Sequence, residues 1–258
     1  MILEIKNLKK TYDKKTYALN DVSFSIDQSE FVVIIGPSGA GKSTLIRSIN
    51  GLVQPTAGQV VFDGKNVEKA KGTQLKKIRR DIGMIFQHYN LIGPVTVTKN
   101  LLHGRLGHTP YIKSLFGLYS KEEKEQAISL LKTVGLSDHA NKKASMLSGG
   151  QMQRVGICRA LMQNPKLLLA DEPIASLDPT SAKHVMDYMK NAVTDRAADR
   201  GLSCVCNLHQ VDFAKKYATR IIGMKNGKIV FDDTPEKLTD QLISFIYEDE
   251  GEKNNEIN

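Results

Sequence analysis

The chain has 258 residues, 41% of them hydrophobic, and a formal net charge of +8. That length can bury one sizeable core, and no apolar run approaches the roughly 18 residues a membrane span requires, which excludes a transmembrane helix. Three cysteines and six histidines follow no metal-ligand spacing, and the basic residues fall mostly in scattered pairs, which read as a solvated face rather than a nucleic-acid surface.

Met1 to Ile5 alternates like a strand and has none of the regions of a signal peptide, which places the chain in the cytosol unless a partner holds it at a membrane. Strands are predicted over Ile2 to Leu8 and Tyr17 to Ile26, forming an antiparallel patch ahead of the core. Tyr12 lies in the turn between them, either as an ordinary exposed tyrosine or as a ring that stacks on a base.

Phe31 to Ile35 is apolar throughout and reads as a strand buried on both faces. Gly36, Pro37, Ser38, Gly39, Ala40, Gly41, Lys42 and Ser43 follow it, matching G-x-x-x-x-G-K-[ST], and Ser43 to Leu52 continues at helical spacing. The small residues let backbone N–H groups turn inward, and the helix start adds the positive end of its dipole. Lys42 supplies a full charge for the β- and γ-phosphates, and the Ser43 hydroxyl can coordinate Mg²⁺. Strand, glycine loop and helix in this order predict a nucleoside triphosphate site.

Gly58 to Gly64 is predicted as a short hairpin strand and Asp81 to Gln87 as a core strand, with Gln87 at the end where open α/β sheets bind ligands. From His88 to about Asn164 the pattern turns helical. Thr96 to Gly104 and a Ser120 capping box closed by Gly135 mark two helices, and Gly104 to Tyr119 reads as a loop. Leu147, Ser148, Gly149, Gly150 and Gln151 open a further helix to Met162, as a plain serine cap or as a second anion site. Lys166 to Glu172 is an apolar strand ending in two acids: Asp171 can reach a metal shell and Glu172 can polarise a water for in-line attack. Ser176, Leu177, Asp178 and Pro179 precede a helix to about Ala198. Leu202 to Leu208 is a core strand ending at His209, able to donate to a γ-phosphate or to sit as a surface histidine. Ile221 to Asp232 is a hairpin turning at Asn226-Gly227, and the tail after Glu248 reads as disordered.

In order, the phosphate loop, Gln87, the Leu147 to Gln151 signature, Asp171-Glu172, Ser176 to Asp178 and His209 closely resemble the nucleotide-binding subunits of ABC transporters, over about residues 1 to 242. The resemblance implies an α/β P-loop NTPase with a RecA-like core, an N-terminal antiparallel β-subdomain and an inserted helical signature subdomain at about 88–164, within one domain spanning 1–247. It implies head-to-tail homodimers in which each ATP lies between one chain's phosphate loop and the other chain's signature. Tyr12 would then stack on adenine, and Lys42, Ser43 and Thr44 would hold phosphates and Mg²⁺. Gln87 and Asp171 would sit in the metal and water shell, Glu172 would be the general base, His209 the γ-phosphate contact, and Asp178 part of the dimer-contact loop. The stretches His103 to Gly107, Ser114 to Gly117, Asn207 to Asp212 and Ile229 to Asp232 are most similar to the ATP-binding subunits of phosphonate importers. That implies a peripheral subunit on the cytoplasmic face of the cell membrane, serving an integral-membrane permease and an extracytoplasmic phosphonate-binding protein. The competing class is a soluble ABC ATPase acting on nucleic acid or ribosomes, whose fused second nucleotide domain, coiled coil or zinc module is absent from this sequence. One departure from the family is Gly156 and Cys158, where alanines are usual. This softens the helix at about 1 kcal/mol for the glycine and alters no chemical role.

Overall fold

The computed structural model describes residues 1–87, 89–109, 117–194 and 201–248. Two sheets organise it. The smaller is antiparallel, in the order β2 (Tyr17–Ile26), β1 (Leu3–Thr11), β4 (Ala57–Phe62) and β5 (Lys65–Asn66). β1 runs to Thr11 rather than stopping at Leu8, because β-bulges, one beside the left-handed Asn7, let the strand bend and keep its pairing with β2. The Gly58 strand pairs with β1 as well as forming the expected hairpin with β5.

The larger sheet has the order β10 (Lys228–Asp233), β9 (Arg220–Lys225), β3 (Phe31–Ile35), β8 (Ser203–Asn207), β7 (Leu167–Asp171) and β6 (Ile82–Ile85). Every pairing in it is parallel except β9 with β10. Strand alternation divides its side chains between two cores. Val32, Ile34, Leu167, Leu169 and Val205 face the small sheet, α1 (Lys42–Ile49) and α2 (Gly72–Arg80). Phe31, Val33, Ile35, Leu168, Ala170, Cys204 and Cys206 face the helices on the other side. Both thiols of Cys204 and Cys206 therefore lie on one side, as the alternation predicts, and burial pushes each far above the ordinary thiol range.

A third cluster joins α3 (Val97–Leu102), α4 (Lys121–Thr133) and α5 (Gly149–Met162). α5 serves two cores, sending Val155, Cys158 and Met162 into this cluster and Ile157 and Ala160 toward the large sheet. Gly156 is buried inside this helix, where an added Cβ would lie 3.6 Å from the Tyr89 carbonyl oxygen. The second half of the chain adds α6 (Pro179–Thr194), α7 (Val211–Tyr217) and α8 (Asp240–Tyr247). The expected end of the Asp178 helix at Ala198, much of the Gly104 to Tyr119 loop and the tail beyond Glu248 lie outside the described residues. No described helix is long and apolar enough to cross a membrane.

Candidate nucleotide site

The carboxyl ends of β3, β7 and β8 converge, and the phosphate loop closes over them. Gly36 has φ 148°, and a Cβ there would lie 2.2 Å from the Met224 carbonyl oxygen of β9. Gly41 has φ 99°, and its Cβ would lie 2.1 Å from the Ala18 carbonyl oxygen of β2. Both positions require glycine for conformation and for space. Residues Ser38 to Thr44 line a cleft with Ala18, Glu172 and His209. Gly41 precedes α1 without a side-chain cap, so the first N–H groups of that helix have no side chain competing for them. Lys42 is 5% exposed and its ammonium donates to the carbonyls of Gly36 (2.7 Å) and Pro37 (2.8 Å). Burial pulls its pKa below the ordinary lysine value, and the negative charges of Glu172 and Asp171 oppose that shift.

Asp171 ends β7 and is 2% exposed. Its Oδ1 accepts from the Ser43 hydroxyl at 2.7 Å and from the Asn207 amide at 3.1 Å. Its Oδ2 accepts from Arg47 Nε at 3.2 Å. Ser43 and Asp171 are hard oxygen donors, and among the described residues no group of three or more His, Cys, Asp or Glu forms a metal cage. This donor set fits Mg²⁺ sharing its shell with phosphates and water, and does not fit a structural zinc.

The next residue, Glu172, holds φ 53°, a left-handed conformation costing a non-glycine residue about 1–2 kcal/mol. Its Oε2 accepts from Gln87 Nε2 at 2.9 Å, and its Oε1 lies 2.7 Å from His209 Nε2. Gln87, Glu172 and His209 thus meet as one constellation beside the cleft. Gln87 itself falls two residues beyond β6, not within the strand.

The other expected residues lie apart from that cleft. Tyr12 is 68% exposed, with the Lys10 ammonium 4.8 Å from its ring centroid. Ser148 caps α5 in a full capping box with Gln151, so the plain-cap reading is correct as local structure, and none of residues 147–151 lines the phosphate-loop cleft. Asp178 accepts from the backbone N–H groups of Thr180 and Ser181 at the start of α6, and the Ser181 hydroxyl, followed by these N–H groups, holds its carboxyl below the usual range.

Two residues escaped the sequence reading. Arg47 lies four positions after Ser43 on α1, so both reach the same acid. Asn207 is the register partner of Asp171 in β8 and is fully buried. The available signal was an asparagine closing the core strand Ser203–Asn207 directly after Cys204, Val205 and Cys206.

The fold and the phosphate-loop cleft define the class as a P-loop ATP-binding cassette. The ABC transporter family model matches residues 19–175. The Phosphonates import ATP-binding protein PhnC 2 of Halalkalibacterium halodurans is 52% identical over 248 residues, covering 96% of this chain and 100% of that protein. The Phosphonates import ATP-binding protein PhnC of Treponema denticola is 52% identical over 243 residues, covering 94% of this chain and 93% of its own length. A dimeric ATP-binding cassette in a post-hydrolysis state, bound to ADP and Pi, superposes with a TM-score of 0.76 at 36% identity, covering 91% of this chain and 99% of that one. A nucleotide-free cassette from an ABC transporter gives 0.76 at 31% identity, covering 95% and 94%. The chain belongs to the ABC transporter family, as an ATP-binding subunit.

Proposed function

We propose that this chain is the ATP-hydrolysing subunit of a complex that imports phosphonate or a related oxyanion, docked as a homodimer on the cytoplasmic face of a membrane permease fed by an extracytoplasmic binding protein. The observation that carries the chemistry is Glu172, gripped by Gln87 and His209 beside an uncapped helix start. The cargo assignment is supported by the two 52% identical phosphonate-import relatives over nearly the full chain.

In this reading Lys42 leaves the carbonyls of Gly36 and Pro37 for the β- and γ-phosphates, whose negative charge offsets the burial that lowers its pKa. Gly39, Ala40, Gly41 and Thr44 surround the phosphates, and Tyr12 stacks on adenine. Ser43, Gln87 and Asp171 would hold Mg²⁺, which would neutralise charge developing on the phosphates. Glu172, held at Oε2 by Gln87, takes the proton of the attacking water at the Oε1 that His209 frees when it turns to donate to the γ-phosphate. Residues Leu147 to Gln151 of a second copy close the site across the dimer, with Ser176, Leu177 and Asp178 at the contact.

The test is to trap the Glu172→Gln chain with ATP and Mg²⁺ in a native cell extract and identify its companions after mild detergent. A multi-span membrane protein in near-equal amount is expected, whose companion binding protein then takes phosphonate in preference to phosphate or phosphite. Ribosomes or nucleic acid in its place would overturn the transport assignment.

A further inference from the structure

Asp171 is a buried carboxylate whose two oxygens are already taken. Oδ1 serves Ser43 and Asn207, while Oδ2 accepts from Arg47 Nε at 3.2 Å and forms an ion pair with a terminal nitrogen of the same guanidinium 3.1 Å away. The carboxylate side chain is 3% exposed and that of Arg47 is 48% exposed, so the guanidinium lies at the rim with the acid beneath it. A carboxylate this deep is costly without a counter-charge. Lys42 is occupied by the phosphate-loop carbonyls, which leaves Arg47 as the cation bonded to Asp171 among the described residues. Asn207 donates with its amide nitrogen and leaves its buried Oδ1 without a protein partner, an acceptor suited to a metal-bound water.

A divalent cation arriving alone therefore meets a neutralised acid and one hydroxyl, with no group of three or more His, Cys, Asp or Glu among the described residues to hold it. Arriving with a triphosphate it brings phosphate oxygens as ligands and enough negative charge to outweigh the arginine. We propose that Arg47 is a positioning residue that neutralises Asp171 in the nucleotide-free chain, so that a divalent cation is admitted to the Ser43 and Asp171 pair only together with the triphosphate. This rests on the reading of Ser43 and Asp171 as the metal side of the site. Charge does the work more than the fork shape, so lysine substitutes for arginine here.

The experiment titrates Mn²⁺ alone into the full-length, nucleotide-free chain and follows the free ion by electron paramagnetic resonance. Arg47→Met and Arg47→Gln, each checked for native circular dichroism, are expected to bind Mn²⁺ at least about tenfold more tightly than the unaltered chain, and Arg47→Lys within about threefold of it. Adding Asp171→Asn to Arg47→Met is expected to remove the gain. No gain in either neutral variant overturns the proposal, as does a gain that survives Asp171→Asn, or a change in thermal stability with Mn²⁺ affinity unmoved. A parallel titration of Mn²⁺ with ATP separates the two levels. If Asp171→Asn weakens that binding while the neutral Arg47 variants show no gain without nucleotide, only the role of Arg47 fails. If Asp171→Asn leaves binding of Mn²⁺ with ATP unchanged, the metal reading fails and this proposal with it.

Discussion

Two glycine-rich helix starts, Gly41 before α1 and Ser148 before α5, read alike in sequence and differ in their surroundings. Gly41 has no side-chain cap and opens on a cleft shared with Glu172 and His209. Ser148 is exposed, its hydroxyl accepts from Gln151 N–H at 3.3 Å, and the Gln151 side chain accepts from Ser148 N–H at 2.9 Å. In the proposed function the first is an anion site with its own lysine, metal-side acid and base. The second is a helix start capped by its own residues, with the His139 imidazole 3.3 Å from the Gln151 amide, and in the proposed function it gains chemical meaning only against another molecule. Glycine at a helix start is thus a permission; the neighbouring strand ends decide whether a chain can use it alone.

The comparison is tested most severely by Glu172→Gln, which removes the base and keeps the phosphate cradle. Turnover is expected to fall about a thousandfold while ATP affinity stays within about threefold; turnover near that of the unaltered chain would contradict the base assignment. Ser148→Arg places bulk and charge on the second helix start. Steady-state hydrolysis should drop about a hundredfold with nucleotide affinity of the isolated chain unchanged, whereas a loss of affinity matching Lys42→Ala would mean the signature serves its own cleft. Gly36→Ala strikes the first helix start through the backbone, where the new Cβ would meet the Met224 carbonyl at 2.2 Å. A loss of about 1–3 kcal/mol in denaturant unfolding, with weaker ATP binding, is expected. The smallest effect sets two capping boxes side by side, Ser120 with Glu123 and Ser148 with Gln151. Alanine at either serine should cost about 1 kcal/mol of stability. Turnover should fall for Ser148→Ala and stay within about twofold for Ser120→Ala, and equal turnover in the two would reduce the signature serine to a cap.

Much of the nucleotide cleft was legible because its parts are contiguous. The loop from Gly36 to Ser43 and the acids ending β7 each carry their meaning in a few adjacent residues. Gln87 and His209 were placed only by strand-end position, and the structure brings both onto Glu172. Arg47 was passed over because, read along α1, it is one more surface cation; its partner lies 124 residues away in sequence. Asn207 was missed for a similar reason, since pairing of β8 with β7 sets it opposite Asp171. The extension of β1 to Thr11 was hidden by polar residues that would end most strands, and tertiary pairing with β2 overrides that local preference.

The central claim is that one chain's phosphate loop needs another chain's signature. Sedimentation velocity on a mixture of the doubly substituted chains Glu172→Gln with Lys42→Ala, and Glu172→Gln with Ser148→Arg, in ATP and Mg²⁺ tests it directly. Neither chain alone has a complete pair, but together they form one intact site between an unaltered phosphate loop and an unaltered signature. The account predicts a dimer peak only in the mixture, carrying one ATP for every two chains. Monomers in the mixture, or dimers of the Ser148→Arg chain by itself, would contradict it.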